Sequence, residues 1–374
     1  MATRNVFTPV VATALLAQAL PVPGTDNRIH VQYELQIVNA KAAPATITSV
    51  DILSADDTST LIAGYDSAQV VDSLRSTLPK PVADAVIPPG ELRFLYIEVS
   101  FATAADIPSG VVHRFNLLAA ANPGTDQPTP MQYEMAPVEF PSTPPLALAP
   151  PLSGAGWIDF NGAFNNLTVH RGSVQTVNGQ FFIAQRYAID YMRLNDAGQI
   201  VAGDPADVTA NVAYGSDILA VADSTVVEVL DELPDQPPGK LPDPSAITMD
   251  TVDGNHIVLD LGGGLYGFYA HLQRGSVLVK PGQRVSTGEV MAKLGNSGNT
   301  SGPHLHFHVM DGPSVLGSEG QPYVITSFQT AGTIDPAQFD ATNDFTGNWA
   351  GGRGTPVEQT DKFPMNLQIL NFPT

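Results

Sequence analysis

Residues 295–309 read GNSGNTSGPHLHFHV. In an extended chain successive side chains point to opposite faces, so His304, His306 and His308 share one face while Leu305 and Phe307 take the other. Three imidazoles make a poor core face, because each needs a polar partner once buried. The pattern points to a metal or acid–base site carried on a strand with an apolar back. The small residues of GNSGNTSGP ahead of it let another backbone approach the strand closely.

Six of the eight histidines lie from residue 170 onward, and the sequence around them is rich in strands. AYGSDILAVADSTVVEVLDEL, NHIVLDLGGGLYGFYAHL and VKPGQRVSTGEVMAKLG each read as strands joined by turns. His271 ends one strand run, in GLYGFYAHL, and Asp190 lies between apolar neighbours in RYAIDYM. An unpaired buried Asp is costly, and a metal would account for it. The insert at 234–246, PDQPPGKLPDPSA, is too rich in Pro to form an element.

Before residue 140 the chain also reads as strands, among them IHVQYELQIVN, TITSVDIL, LRFLYIEVSF and VVHRFNLLAA. Turn residues at this spacing suggest a β-sandwich of immunoglobulin type. SAQVVDSLRSTL (67–78) reads as one short helix, and His30 and His113 as structural residues on strands. Between the halves, EFPSTPPLALAPPLSGAG has the composition of an extended linker. The expected organisation is all-β: a sandwich over 1–140, a Pro-rich linker over 141–156, and an antiparallel-sheet domain over 157–374.

Composition agrees with two folded units. The chain has 374 residues, 43% hydrophobic and only 14% charged, with 33 Gly and 32 Pro. Low charge density argues against disorder, and the Gly and Pro content fits a turn-rich protein. The formal net charge of −20 repels nucleic acid and anionic membranes. With no cysteine, disulfides and thiolate metal sites are excluded, so a metal falls to His, Asp or Glu. No apolar run reaches the roughly 18 residues of a membrane span. Residues 6–20, with Arg4 ahead of them, resemble a signal peptide only faintly, since Thr and Gln interrupt the apolar stretch. The expectation is a mature chain of a secreted or periplasmic protein, its targeting segment outside this sequence.

From about residue 180 to 312 the sequence resembles the lysostaphin-type (LytM-type) zinc metallopeptidases. RYAIDY, YGSDILAVADSTVVEV, GNHIVLDLGGGLYGFYAHL and GSVLVKPGQRVSTGEVMAKLGNSGNTSGPHLHF carry the resemblance in order, over roughly a third of the chain. That family binds Zn2+ through an HxxxD motif and the second His of an HxH motif, and uses two further histidines in catalysis. Carried over, Asp190 and His306 are ligands, and His271 and His304 are the catalytic pair, one as acid–base and one as oxyanion partner. The resemblance implies a zinc endopeptidase acting on peptidoglycan cross-links. The alternative is an inactive wall-binding or regulatory protein of the same fold. The first unit is expected to be an accessory module.

Two positions depart from the family. The histidine of HxxxD would fall at 186, where the chain has Arg, which offers no lone pair to a metal. His170 is the candidate replacement, and some relatives carry a histidine followed by a short hairpin and QRxAID, which this segment resembles. Asn178-Gly179 is a strong two-residue hairpin turn, pairing Val177 with Gln180. Continued pairing would set His170 opposite Tyr187, on the wrong face, so a bulge is expected to turn it toward Asp190. The second departure is His308, where many relatives carry Glu. It is expected to support a ligand rather than act as one. His256 is read as structural.

Overall fold

The histidine strand Leu305–Met310 is buried on both faces. Leu305, Phe307 and Val309 are wholly buried, and burying each is worth about 1.5–3 kcal/mol, which pins the back of the histidine strand into the molecule. The structure is a computed structural model that describes residues 7–78, 80–120, 126–164, 167–243, 245, 247–340 and 347–374; Arg4 lies outside them. It is 46% strand and 6% helix, an all-β chain. It divides into two units, residues 1–22 with 27–144, and residues 23–26 with 145–374.

The first unit holds two antiparallel sheets. One runs Val10–Ala14, Ile29–Asn39, Leu92–Phe101, Leu74–Ser76, and the other Thr129–Glu139, Gly110–Ala119, Ala45–Ser54, Leu61–Tyr65. Both contribute to one apolar cluster that includes Leu35, Leu95, Ile47 and Phe115. The helix expected over 67–78 spans only Ser67–Ser73, capped by Asp66. Leu74–Ser76 instead pairs with Leu92–Phe101, because an open sheet edge offers those residues more hydrogen bonds than a further helical turn. His30 lies 3.0 Å from Glu98, and His113 is bonded to Tyr33 and to the Ala136 carbonyl.

In the second unit one large sheet dominates. Its central order is Ser224–Leu230, Asn255–Gly262, Leu265–Leu272, Leu305–Met310, Ile189–Arg193, Gly154–Phe160, Gln368–Phe372. The histidine strand is therefore interior, flanked by the strand of His271 and the strand of Asp190. Residues 141–156, expected as linker, carry strand Leu146–Leu148 and the start of Gly154–Phe160. Leu146–Leu148 pairs with Tyr323–Ile325 in a small separate sheet, while Gly154–Phe160 joins the large sheet beside Asp190, pairing Phe160 with it. The Pro-rich insert lies along the Asn296–Ser301 loop, with Gln236 N donating to Asn296 O and Gly239 N to Ser301 O. No helix among the described residues is long and apolar enough to cross a membrane.

Candidate active site

Asp190 and His306 are direct partners in register, so both side chains leave the sheet on the same face. His306 Nδ1 lies 3.0 Å from Asp190 Oδ1. The other carboxylate oxygen meets His170 Nε2 at 3.2 Å and accepts from Asn161 Nδ2 at 2.9 Å. One donor atom from each of His170, Asp190 and His306 fits within a 4.8 Å group, and all three residues are buried.

His170 does not reach this group by the expected bulge. The hairpin forms in the expected register, Val177 to Gln180, with positive φ at Asn178 and Gly179, but it stops at Gln175 and Phe182. Two turns take the place of longer pairing. One brings Gly172 N to Thr168 O and Ser173 N to His170 O, and the other brings Arg186 N to Ile183 O and Ala188 N to Gln185 O. Released from the ladder, His170 Nδ1 bonds to the carbonyls of Asn161 and Ala188 and turns Nε2 toward Asp190. The same turn carries Arg186 away from Asp190. Its guanidinium pairs with Glu319 at 2.8 Å and donates to Gly320 O.

His271 reaches the site through backbone strain. Ala270 pairs with His306, so an ordinary strand would send His271 to the opposite face. A register shift against Asn255–Ile257 and a φ of 63° at His271 bring it back to the face of Asp190 and His306. Ser297 O accepts from its Nδ1 at 2.8 Å, which leaves Nε2 as a lone pair. His304 stands beside it, ring centres 4.6 Å apart, with Nδ1 donating to Gly302 O and Nε2 3.3 Å from Asp190.

The charges follow from this packing. Burial opposes a negative Asp190, but the imidazoles of His170 and His304 overcome it and hold the carboxyl well below the usual carboxylate range. Burial also works against a charged His304, yet Asp190 raises it above the ordinary histidine value. Burial, then the neighbouring His304 and His306, pushes His271 well down. His306 falls to about 4, chiefly by burial.

His308 points its Nδ1 at His306 Nε2, 2.9 Å away, while its own Nε2 has no hydrogen-bond partner among the described residues. The carboxylate of Asp190 only accepts, so His306 carries its proton on Nδ1 and its Nε2 accepts from His308. His256 bonds Gly254 O on another strand and takes no part.

His170, Asp190, His271, His304 and His306 line a cleft of about 300 Å³ together with Asn161, Asp253 and the Asn299–Gly302 loop. Sequence reading missed Asn161 and Asp253. Asn161-Gly162 reads as an ordinary turn, and Asp253-Gly254 as another. Nothing in the pattern marks either as facing the site.

A His-Asp-His group on an antiparallel sheet, with two more imidazoles across a cleft, defines a candidate metallohydrolase centre. Residues 206–318 match the profile of Peptidase family M23, and the chain carries an M23 domain there. The matched segment holds His271, His304, His306 and His308; His170 and Asp190 precede it. Over 57 residues the chain is 40% identical to Peptidoglycan DD-endopeptidase ShyA of Vibrio cholerae, covering 15% of this chain and 13% of that protein. The catalytic domain of the antimicrobial peptidase lysostaphin from Staphylococcus simulans is 19% identical, with TM-score 0.24 over 45% of this chain and 86% of that one. A putative peptidase M23 from Pseudomonas aeruginosa is 14% identical, with TM-score 0.26 over 74% of this chain and 95% of that one.

Proposed function

We propose that the protein is a zinc metalloendopeptidase that hydrolyses peptide bonds of peptidoglycan cross-links outside the cytoplasm, with the first unit as an accessory module. The grouping of His170, Asp190 and His306 donors carries this reading. Zinc takes N and O ligands at about 2.0–2.2 Å, so tetrahedral donors lie roughly 3.3–3.5 Å apart. His306 meets one oxygen of Asp190 at 3.0 Å and His170 the other at 3.2 Å, and one atom from each residue falls within 4.8 Å of the others, so N and O donors of the kind zinc takes converge here. When bound, zinc would polarise the scissile carbonyl and acidify the attacking water.

The chain's own residues divide the remaining work. His271, neutral and with Nε2 free of its backbone bond, is suited to accept the proton of the attacking water. His304, which keeps its proton more readily, is suited to donate to the oxygen that gains charge and later to the leaving amine. His308 orients His306 through the imidazole pair. Arg186, the reason to consider an inactive binder, is engaged by Glu319 rather than set among the ligands.

Zinc content of the purified protein tests the reading. Metal-free protein that gains no activity on zinc addition ends it. His170→Ala should lose most of the bound zinc; unchanged metal content and activity would remove His170 from the ligand set.

A further inference from the structure

Asp253 is 7% exposed and lines the cleft. Its backbone is fixed on both sides. Val252 N bonds to Thr248 O, Gly254 N to Thr251 O, and Asn299 N to Val252 O, while Asp253 O accepts from His271 N at 3.1 Å. Asp253 is therefore held at the wall of the cleft, its carbonyl bonded to the backbone of a catalytic histidine. Among the described residues no hydrogen bond or ion pair reaches it, and no Lys or Arg lines the cleft. A buried carboxyl without a partner is costly. Among the described residues nothing fills that role, which leaves the carboxyl for water or a ligand in the cleft.

We propose that Asp253 is a specificity-determining residue that receives a free primary amine of the peptide substrate, close to the scissile bond. The inference rests on the peptidase reading of the cleft and adds the substrate's charge to it. Two peptide groups share this chemistry, an amino terminus and the side chain of a diamino acid. Burial pushes the Asp253 carboxyl up to about 7. An ammonium group docked against it favours the charged form, so the two ionise as a pair on binding. The other carboxylate of the cleft, Asp190, is already engaged by His170, His304, His306 and Asn161.

The test uses the full zinc-loaded chain and cross-linked peptidoglycan stem peptides in three forms: amines free, terminal amine acetylated, and side-chain amine acetylated. Wild type should prefer the free amine by about 10- to 100-fold in kcat/KM, the range of a hydrogen bond to a charged group. The acetylated form that loses this advantage identifies which amine is read. Asp253→Asn should bring the ratio near one, and Asp253→Glu should keep the preference. Equal cleavage of all forms by wild type overturns the inference. So does an Asp253→Asn variant that slows every form alike and leaves the ratio intact, since that marks a proton-transfer role. Calorimetry with the same peptides separates the two readings. If nothing is cleaved but wild type binds free amines more tightly and Asp253→Asn does not, amine recognition stands and the peptidase reading fails. Equal binding of all forms overturns amine recognition itself.

Discussion

Arg186→His restores the residue that the HxxxD motif carries, yet it should make the protein worse. The Arg186 and Glu319 side chains are 2% and 9% exposed and meet at 2.8 Å, with a second bond from the guanidinium to Gly320 O. Removing one member of a buried pair costs about 3–5 kcal/mol. Histidine cannot recover this, because it lacks the fork that serves both acceptors. A domain of this size loses about 2–4 °C per kcal/mol, so the unfolding midpoint of the second unit should fall by roughly 6–20 °C. Zinc affinity should not rise, since the Ile183–Ala188 turn directs position 186 toward Glu319. Scanning calorimetry of apo and zinc-loaded protein reads the first effect, and competition against a chelator reads the second. Tighter zinc, or recovery of zinc binding in His170→Ala combined with Arg186→His, would refute the argument because each requires residue 186 to face the metal, and an unchanged midpoint would refute it by showing that the buried pair contributes nothing.

Replacing His271 or His304 by Ala should lower kcat/KM by roughly 100- to 10,000-fold while leaving zinc content at the wild-type level, as checked by metal analysis beside peptide hydrolysis. Gly298 has φ 82°, and a Cβ there would lie 2.2 Å from Gly254 N. Gly298→Ala should therefore shift Ser297 and the His271 bond it holds, cutting kcat by about 100-fold with zinc retained. In the first unit, burial lowers His113 from 6.5 to about 4, so the unfolded chain binds the extra proton between those values. Stability from this group is complete above pH 6.5 and falls on acidification, by roughly 3 kcal/mol at pH 4. Thermal unfolding from pH 7 to 4.5 should show the loss, and His113→Gln should flatten it.

Period-two reading placed His304, His306 and His308 on one face because that rule is local and the strand is regular. Asp190 was legible for the same reason, as a carboxylate set among apolar strand neighbours. His271 was legible only through family resemblance, since a plain strand would turn it away and the positive φ that returns it has no counterpart in residue type. Pairing arithmetic gave the right hairpin register but the wrong route for His170. A ladder can be extrapolated, whereas turns that interrupt it depend on carbonyls of Asn161 and Ala188 that lie elsewhere. Prolines hid the strand at Gly154–Phe160, because the linker composition around it outweighed GWIDF. Asp253 gave no signal at all, as Asp before Gly is the commonest kind of turn.

The two-imidazole contact between His306 and His308 has a direction, and a metal held by His306 would reverse it. Facing Asp190, His306 carries hydrogen on Nδ1 and accepts at Nε2 from its neighbour. A ligand nitrogen must be bare, so if His306 held a metal through Nδ1 its hydrogen would sit on Nε2 and point at His308. His308 would then carry its own hydrogen on an Nε2 that is buried with no hydrogen-bond partner among the described residues. A glutamate at 308 would accept that hydrogen without passing anything on. With histidine there, a metal would set the tautomers of two neighbouring rings at once, and nitrogen NMR of the paired rings with and without zinc would report which way they are set.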